Sequence, residues 1–231
     1  MSQALSVAHG WPRAIIFDLD GTLIDSAPDI AAAVNRALAE FEFEITAEDA
    51  RRYLGNGARK LIARVAEAHG HTLDDQRLTE LTERFGVCYR EQPCVDSQLY
   101  PGTEAALARL KADGMLLAIC TNKPKPIADQ VVAHMGLDRY IDAVVGAGQY
   151  ALKPDPAPLQ ACLRQLVCQS GEALYIGDMA VDRQAGHAAG LAVLIADFGY
   201  SATPAAELGA DGVLTDWSKL EPTIAGLLDR H

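Results

Sequence analysis

The chain has 231 residues, 49% of them apolar and 22% charged, enough to bury a sizeable core as one large domain or one domain with an insertion. Its 31 acidic against 20 basic residues give a net charge of −11, a field that repels nucleic acid and obliges a small anionic substrate to find local positive charge or a metal. No apolar run is long enough for a membrane span, no basic-then-apolar segment marks a secretory signal, and the five cysteines form no Cys-x-x-Cys pair, so the expected compartment is the cytosol, with reduced thiols and no zinc site.

In chain order, the first element is the apolar run Ile15-Ile16-Phe17, which ends in Asp18-Leu19-Asp20-Gly21-Thr22. A buried strand is expected here, and alternation along it puts Asp18 and Asp20 on the same side of the chain. Two such carboxylates repel each other unless a cation or a shared proton intervenes. They are therefore read as chemistry: a metal site, a nucleophile, an acid/base group, or several of these at once. Asp25 and Ser26 are expected to shape the next turn or cap a helix, and Pro28 with Asp29 suits the start of that helix.

From Asp29 to about Pro93 no clear strand is visible. Ile30, Ala33, Val34, Ala37, Leu38 and Phe41 recur at helical spacing, as do Leu61, Ile62, Val65 and Ala66, and then Leu78, Leu81 and Phe85. This predicts a helical insert placed directly after the first strand. Within it, Gly55-Asn56-Gly57 stands among Arg51, Arg52, Arg59 and Lys60. The glycines allow close backbone approach, and a helix start offers N–H groups to an anion. Gly55, Asn56, Gly57, Arg52 and Arg59 are therefore candidates for substrate binding, against the plainer reading of a solvated basic face.

The core resumes near Tyr100-Pro101-Gly102-Thr103. A helix is predicted over 104–111, a strand over 116–120 leading into Thr121-Asn122-Lys123-Pro124, and a helix over 127–135. A weaker strand follows at 143–146, then the segment Leu152-Lys153-Pro154-Asp155-Pro156, in which Asp155 reads as a turn residue. Strands over 173–176 and 192–195 lead into Gly177-Asp178 and Ala196-Asp197. Continuous apolar strands alternating with helices predict a parallel sheet covered on both faces. In such sheets ligands bind beyond the carboxyl ends of the strands, where all these polar signals fall. The six histidines show no nucleophile or metal spacing, and Trp11 and Trp217 read as packing residues.

Four signals, each weak alone, occur in one order: Asp18 with Asp20, Thr121-Asn122, Lys153, and Gly177-Asp178 with Asp182. In this order the chain resembles the haloacid dehalogenase-like hydrolases, over nearly its whole length. The resemblance implies an α/β fold, a Rossmann-like doubly wound parallel sheet at residues 1–25 and 96–231, with an all-helical cap inserted at 26–95. It implies that Asp18 attacks phosphorus and forms an aspartyl-phosphate, while Asp20 protonates the leaving oxygen and later activates water. It further implies Mg²⁺ held by Asp18, the Asp20 main-chain carbonyl and Asp178, with Asp182 as an orienting group or a ligand through water. Thr121 and backbone N–H groups near Asn122 would hold phosphoryl oxygens, and Lys153 would neutralise charge on the nucleophile and the phosphoryl group. One departure is Met179, where many relatives carry serine or threonine, with a modest expected effect on packing or polarity. Asp20 points to phosphoryl transfer from oxygen, because a halide leaves unprotonated.

Asp-Leu-Asp-Gly-Thr-Leu-Ile-Asp-Ser-Ala-Pro-Asp, the Gly-Asn-Gly-Ala loop, Cys-Thr-Asn-Lys-Pro and Phe198-Gly199-Tyr200 resemble bacterial phosphoglycolate phosphatases in particular. The expectation is a magnesium-dependent phosphatase acting on a small anionic phosphate ester, as a monomer or homodimer. The alternatives are another sugar-phosphate or nucleotide phosphatase, a pyrophosphatase, a phosphomutase, or a catalytically silent ligand-binding protein on the same fold.

Overall fold

Ala14–Phe17, four residues without a polar side chain, form β1, and every one of them is buried. A strand buried on both faces must lie inside a sheet. In this computed structural model, which describes residues 12–228, β1 lies between β4 (Leu116–Pro124) and β6 (Ala173–Gly177). His9, Trp11 and His231 lie outside the described residues. β5 (Ala143–Ala147) flanks β4, while β7 (Ala192–Ala196) and β8 (Gly212–Leu214) continue the other side. The sheet order is β5-β4-β1-β6-β7-β8, with every pairing parallel.

The chain leaves β1 toward β4 and β5, then returns to its other side for β6 to β8. The order therefore reverses at β1, and the crevice of such a reversal lies beyond the carboxyl ends of the strands. Residue alternation decides what covers each face. Ile15, Phe17, Leu117, Ile119, Leu174 and Ile176 join one apolar cluster, and Ala14, Ile16, Ala118, Cys120, Tyr175 and Val193 join the other. The covering helices are α5 (Thr103–Ala112), α6 (Lys125–His134), α7 (Ala157–Gln165), α8 (Ala180–Ala188) and α9 (Leu220–Leu228). Trp217 is buried, its ring 5.9 Å from that of Phe17.

The insert forms α1 (Ala27–Ala37), α2 (Ala47–Tyr53), α3 (Ala58–Ala68) and α4 (Asp75–Glu91). Their buried stripes follow the helical period: Ile30, Ala33, Val34 and Ala37, then Leu61, Ile62 and Val65, then Leu81, Phe85 and Tyr89. A two-stranded antiparallel ribbon, β2 (Ile24–Asp25) with β3 (Gln98–Leu99), joins the two ends of the insert. Beside it the buried Asp29 carboxylate accepts hydrogen bonds from the amides of Val95, Asp96 and Ser97. No helix among the described residues is long and apolar enough to cross a membrane.

Several elements differ from the sequence expectation. β4 runs on to Pro124, so Thr121-Asn122-Lys123 lies within the strand and not in a loop after it, with a register shift against β5 between Cys120 and Pro124. α2 carries a capping box between Thr46 and Asp49, but at seven residues it is too short for its period to stand out. The ribbon strands span two residues each, below any readable alternation.

Candidate active site

β1 delivers Asp18 to the reversal point, where its N–H donates to the Ile176 carbonyl at 2.8 Å. Asp18 Oδ1 accepts from the Leu19 amide at 2.7 Å and lies 3.0 Å from Lys153 Nζ. No protein donor reaches Asp18 Oδ2 among the described residues, although the residue as a whole is only 9% exposed. The turn that follows demands glycine: Gly21 has φ +85°, and a Cβ there would fall 2.3 Å from Asp178 Oδ2.

Lys153 is buried, and its ammonium donates to the Cys120 carbonyl (3.0 Å), Tyr175 Oη (2.9 Å) and Asp182 Oδ1 (2.7 Å). Burial alone would lower its pKa; Asp18 and Asp182 overcome that and hold it above the usual lysine range. Asp182 lies in the first turn of α8. Its Oδ1 also accepts from Tyr175 Oη at 2.7 Å, and its Oδ2 accepts from the Asp178 and Met179 amides at 3.3 and 3.0 Å. With both oxygens engaged, Asp182 holds Lys153 and the turn after β6. Asp178, at the end of β6, accepts from the Tyr200 amide at 2.6 Å and from Thr22 Oγ1 at 3.4 Å.

Oxygens of Asp18, Asp178 and Asp182 lie within 4.8 Å of one another. Three carboxyls thus crowd together, and the one ammonium beside them contacts Asp18 and Asp182. Burial, opposed by Lys153 and reinforced by Asp182 and Asp20, pushes the Asp18 carboxyl up to about 7. Burial, with Asp182 and Asp18 beside it, pushes Asp178 well up. Such a cluster relaxes either by protonation or by binding a hard cation through oxygen. Asp18 Oδ2 and the weakly engaged Asp178 Oδ1 are the side-chain oxygens left for it.

Asp20, beside this cluster, is held by partners of its own. Its Oδ1 accepts from Ser26 Oγ and from Lys123 Nζ, both at 2.5 Å. Ser26 occupies the N-cap position of α1 but makes no capping bond; the expected capping role gives way to holding Asp20. Asp25 shapes the turn through the Ala27 amide, as expected, and also pairs with Arg51 of α2 at 2.6 Å. Asp155 accepts from the Ala157 amide at 2.8 Å, in the turn role expected of it.

A cleft between the sheet ends and the insert is lined by Asp18, Asp20, Thr121, Asn122 and Lys123 on one side and by Leu54, Gly55, Gly57, Ala58, Leu61, Phe85 and Tyr89 on the other. The Thr121 hydroxyl accepts from the Lys123 amide at 3.2 Å. The Asn122 side chain faces the protein: its amide nitrogen donates to the Gly55 and Lys153 carbonyls, both at 3.1 Å, and its oxygen accepts from the Lys153 amide at 2.8 Å. It therefore ties the insert to the segment carrying Lys153. Met179 lines the cleft beneath Gly55, where a Cβ would fall 2.2 Å from its sulfur. The residue that departs from the common pattern is thus a packing surface for the Gly55 turn.

The two candidate arginines are not brought to the cleft. Arg52, with 62% of its side chain exposed, pairs with Glu48 and Asp49. Arg59, with 43% exposed, pairs with Asp75 and donates to Thr79 Oγ1. Their helices turn these side chains toward acidic neighbours on the insert's own surface. Asn56 is not among the lining residues, although both flanking glycines are. Arg52→Ala and Arg59→Ala are accordingly expected to change kcat/KM by no more than about twofold, the scale of an exposed ion pair. A selective loss on carboxylate-bearing esters in a parallel kinetic comparison would show otherwise.

Lys123 and Tyr89 were not singled out for the site by sequence reading. The only signal for Lys123 was its place in Thr-Asn-Lys-Pro, where a lysine reads as solvated. Its side chain is in fact 2% exposed, with its ammonium 4.7 Å from the centre of the Tyr89 ring. Burial would lower its pKa, but Asp20 and Tyr89 hold it above the ordinary range.

The chain is similar to known proteins over most of its length. The sequence profile of the haloacid dehalogenase-like hydrolases matches residues 15–196. The chain is 40% identical to a phosphoglycolate phosphatase of Cereibacter sphaeroides over 216 residues, covering 93% of this chain and 98% of that one. It is 40% identical to a phosphoglycolate phosphatase of Pasteurella multocida over 215 residues, 90% of this chain and 96% of that one. Among solved structures, a predicted phosphoglycolate phosphatase from Haemophilus somnus superposes with a TM-score of 0.82 at 29% identity, covering 91% of this chain and 96% of that one.

Proposed function

The chain belongs to the haloacid dehalogenase-like hydrolases, and from that membership we propose that it is a magnesium-dependent phosphatase hydrolysing 2-phosphoglycolate to glycolate and phosphate. The reaction class is supported above all by one observation: the nearly buried Asp18 presents an oxygen without a protein donor beside Asp178 and Lys153. The substrate reading is supported by the names of both curated relatives.

In this reading the Asp18 carboxylate attacks phosphorus, and the bond between phosphorus and the ester oxygen breaks. Asp20, held by Ser26 and Lys123, gives that oxygen its proton and glycolate leaves. Asp20 then takes a proton from water as the water attacks phosphorus, releasing phosphate and restoring Asp18. Lys153 keeps Asp18 oriented and offsets charge on the transferred group, and the Thr121 hydroxyl with nearby amides holds its oxygens. Asp18, Asp178 and the Asp20 main-chain carbonyl would hold Mg²⁺, which when bound supplies positive charge against the phosphoryl oxygens. Asp182 acts by holding Lys153 and the 178–179 turn. Residues 26–95 act as a cap that excludes water and shapes the substrate end of the cleft.

The test is phosphate release from 2-phosphoglycolate with and without chelator. Turnover is expected to fall by at least about 100-fold in excess chelator and to return with Mg²⁺, the scale of losing a charge that stabilises the transition state. Full turnover in chelator, or no release with Mg²⁺ present, would contradict the reading.

A further inference from the structure

We propose that Lys123 of the core and Tyr89 of the insert together hold the second anionic group of the substrate, its carboxylate; the inference rests on the phosphatase reading above. A substrate with two anionic ends meets an acidic protein of net charge −11, so its far end needs a cation as well. Among the residues lining the cleft, Lys123 is the one cationic side chain, and the wall around it is mostly apolar: Ile30, Leu54, Leu61, Phe85 and Met179. The arginines of the insert face elsewhere.

The position of Lys123 fits the shape of the ester. Its ammonium lies 2.5 Å from Asp20 Oδ1, the group that serves the leaving oxygen. In 2-phosphoglycolate the carboxylate carbon is two bonds from that oxygen. A side chain touching Asp20 is therefore within reach of the carboxylate when the ester oxygen faces Asp20. Lys123 keeps a donor for it, since an ammonium has three N–H bonds, of which, among the described residues, Asp20 takes one and the Tyr89 hydroxyl stands near another.

Tyr89 supplies the independent observation. Its residue is 2% exposed and lines the same cleft. Its hydroxyl is buried with no partner at hydrogen-bond geometry among the described residues, the Lys123 ammonium being the polar group nearby, whereas buried hydroxyls are normally paired. The ring already packs against Lys123. A carboxylate between the two would satisfy the hydroxyl and join α4 to β4, so that the correct substrate bridges insert and core.

The experiment compares 2-phosphoglycolate with 2-hydroxyethyl phosphate, which has an alcohol in place of the carboxylate, in the wild type, Lys123→Met and Tyr89→Phe. In Lys123→Met, kcat/KM for 2-phosphoglycolate is expected to fall about 10- to 100-fold further than for the hydroxyethyl ester, the scale of one charge-assisted hydrogen bond. Tyr89→Phe keeps the ring over Lys123 and is expected to lower the preference about threefold or more, mainly through KM. Equal losses on both esters in both variants would mean that Lys123 acts only by positioning Asp20, and would overturn the inference while leaving the phosphatase reading intact. Wild-type release from the hydroxyethyl ester alone would overturn the substrate reading and the inference together. If Lys123→Met does not fold, Tyr89→Phe decides alone, and an unchanged preference counts against the proposal.

Discussion

Asp18→Asn is expected to lower kcat by about four orders of magnitude or more for every phosphate ester, the scale seen when a nucleophile is removed from a unit of cooperating groups. The substitution keeps the shape of the side chain at the end of β1 while removing the attacking oxygen. It also removes one of three carboxyls crowded at this point, of which Asp18 and Asp182 contact the Lys153 ammonium. The folded protein should therefore be no less stable than wild type in thermal unfolding without added metal. Lost activity with retained stability separates a chemical role from a structural one. Asp20→Asn should behave differently. Its loss in single-turnover phosphoenzyme formation is expected to be larger for alkyl phosphates than for p-nitrophenyl phosphate, whose leaving group needs little protonation. Equal losses on both would remove Asp20 from the acid role.

Lys153→Met is expected to cost both activity and stability. The ammonium contacts Asp18 and Asp182 while only 1% of its side chain is exposed. Removing it leaves buried carboxylates without their counter-charge, which costs about 3–5 kcal/mol in other proteins. Turnover should fall by about 1,000-fold, as for other preorganised charges at a reacting group. The pH dependence carries a sign. In the cation-free protein Asp18 is raised from 3.8 to about 7, so between these values the folded state binds more protons than the unfolded chain. Stability is then fully present below the unfolded value and declines as pH rises toward 7. The decline should be steeper in Lys153→Met, because Lys153 is what opposes the rise. Denaturant titrations across that interval would check this. A variant as stable as wild type at pH 7 would show that Lys153 is not the group holding the acidic cluster together.

Which groups meet at the candidate site was largely legible in the sequence, for a local reason. Asp18, Thr121 and Asp178 each follow an apolar run, and in a parallel sheet the ends of such runs converge. Asp18 and Asp20 share a side of the chain through the simple alternation of a strand. The buried stripes of α1, α3 and α4 were likewise visible as a helical period.

What the amino-acid order alone determined is therefore the set of chemical groups, their order along the chain and the elements that present them. Partner choice belonged to the tertiary structure. A helical period says which face is apolar but not what that face meets, so it could not tell that Arg51 reaches Asp25 while Arg52 and Arg59 remain with acidic residues of the insert. Ser26 sat where a capping hydroxyl belongs, yet it turns to Asp20 because that carboxylate folds back over the start of α1. Lys123 and Asp20 are 103 residues apart, and Tyr89 of the helical insert packs over the same lysine. Contacts across such distances depend on how the sheet and the insert close on each other, which burial energy decides over the whole core and which no short pattern records.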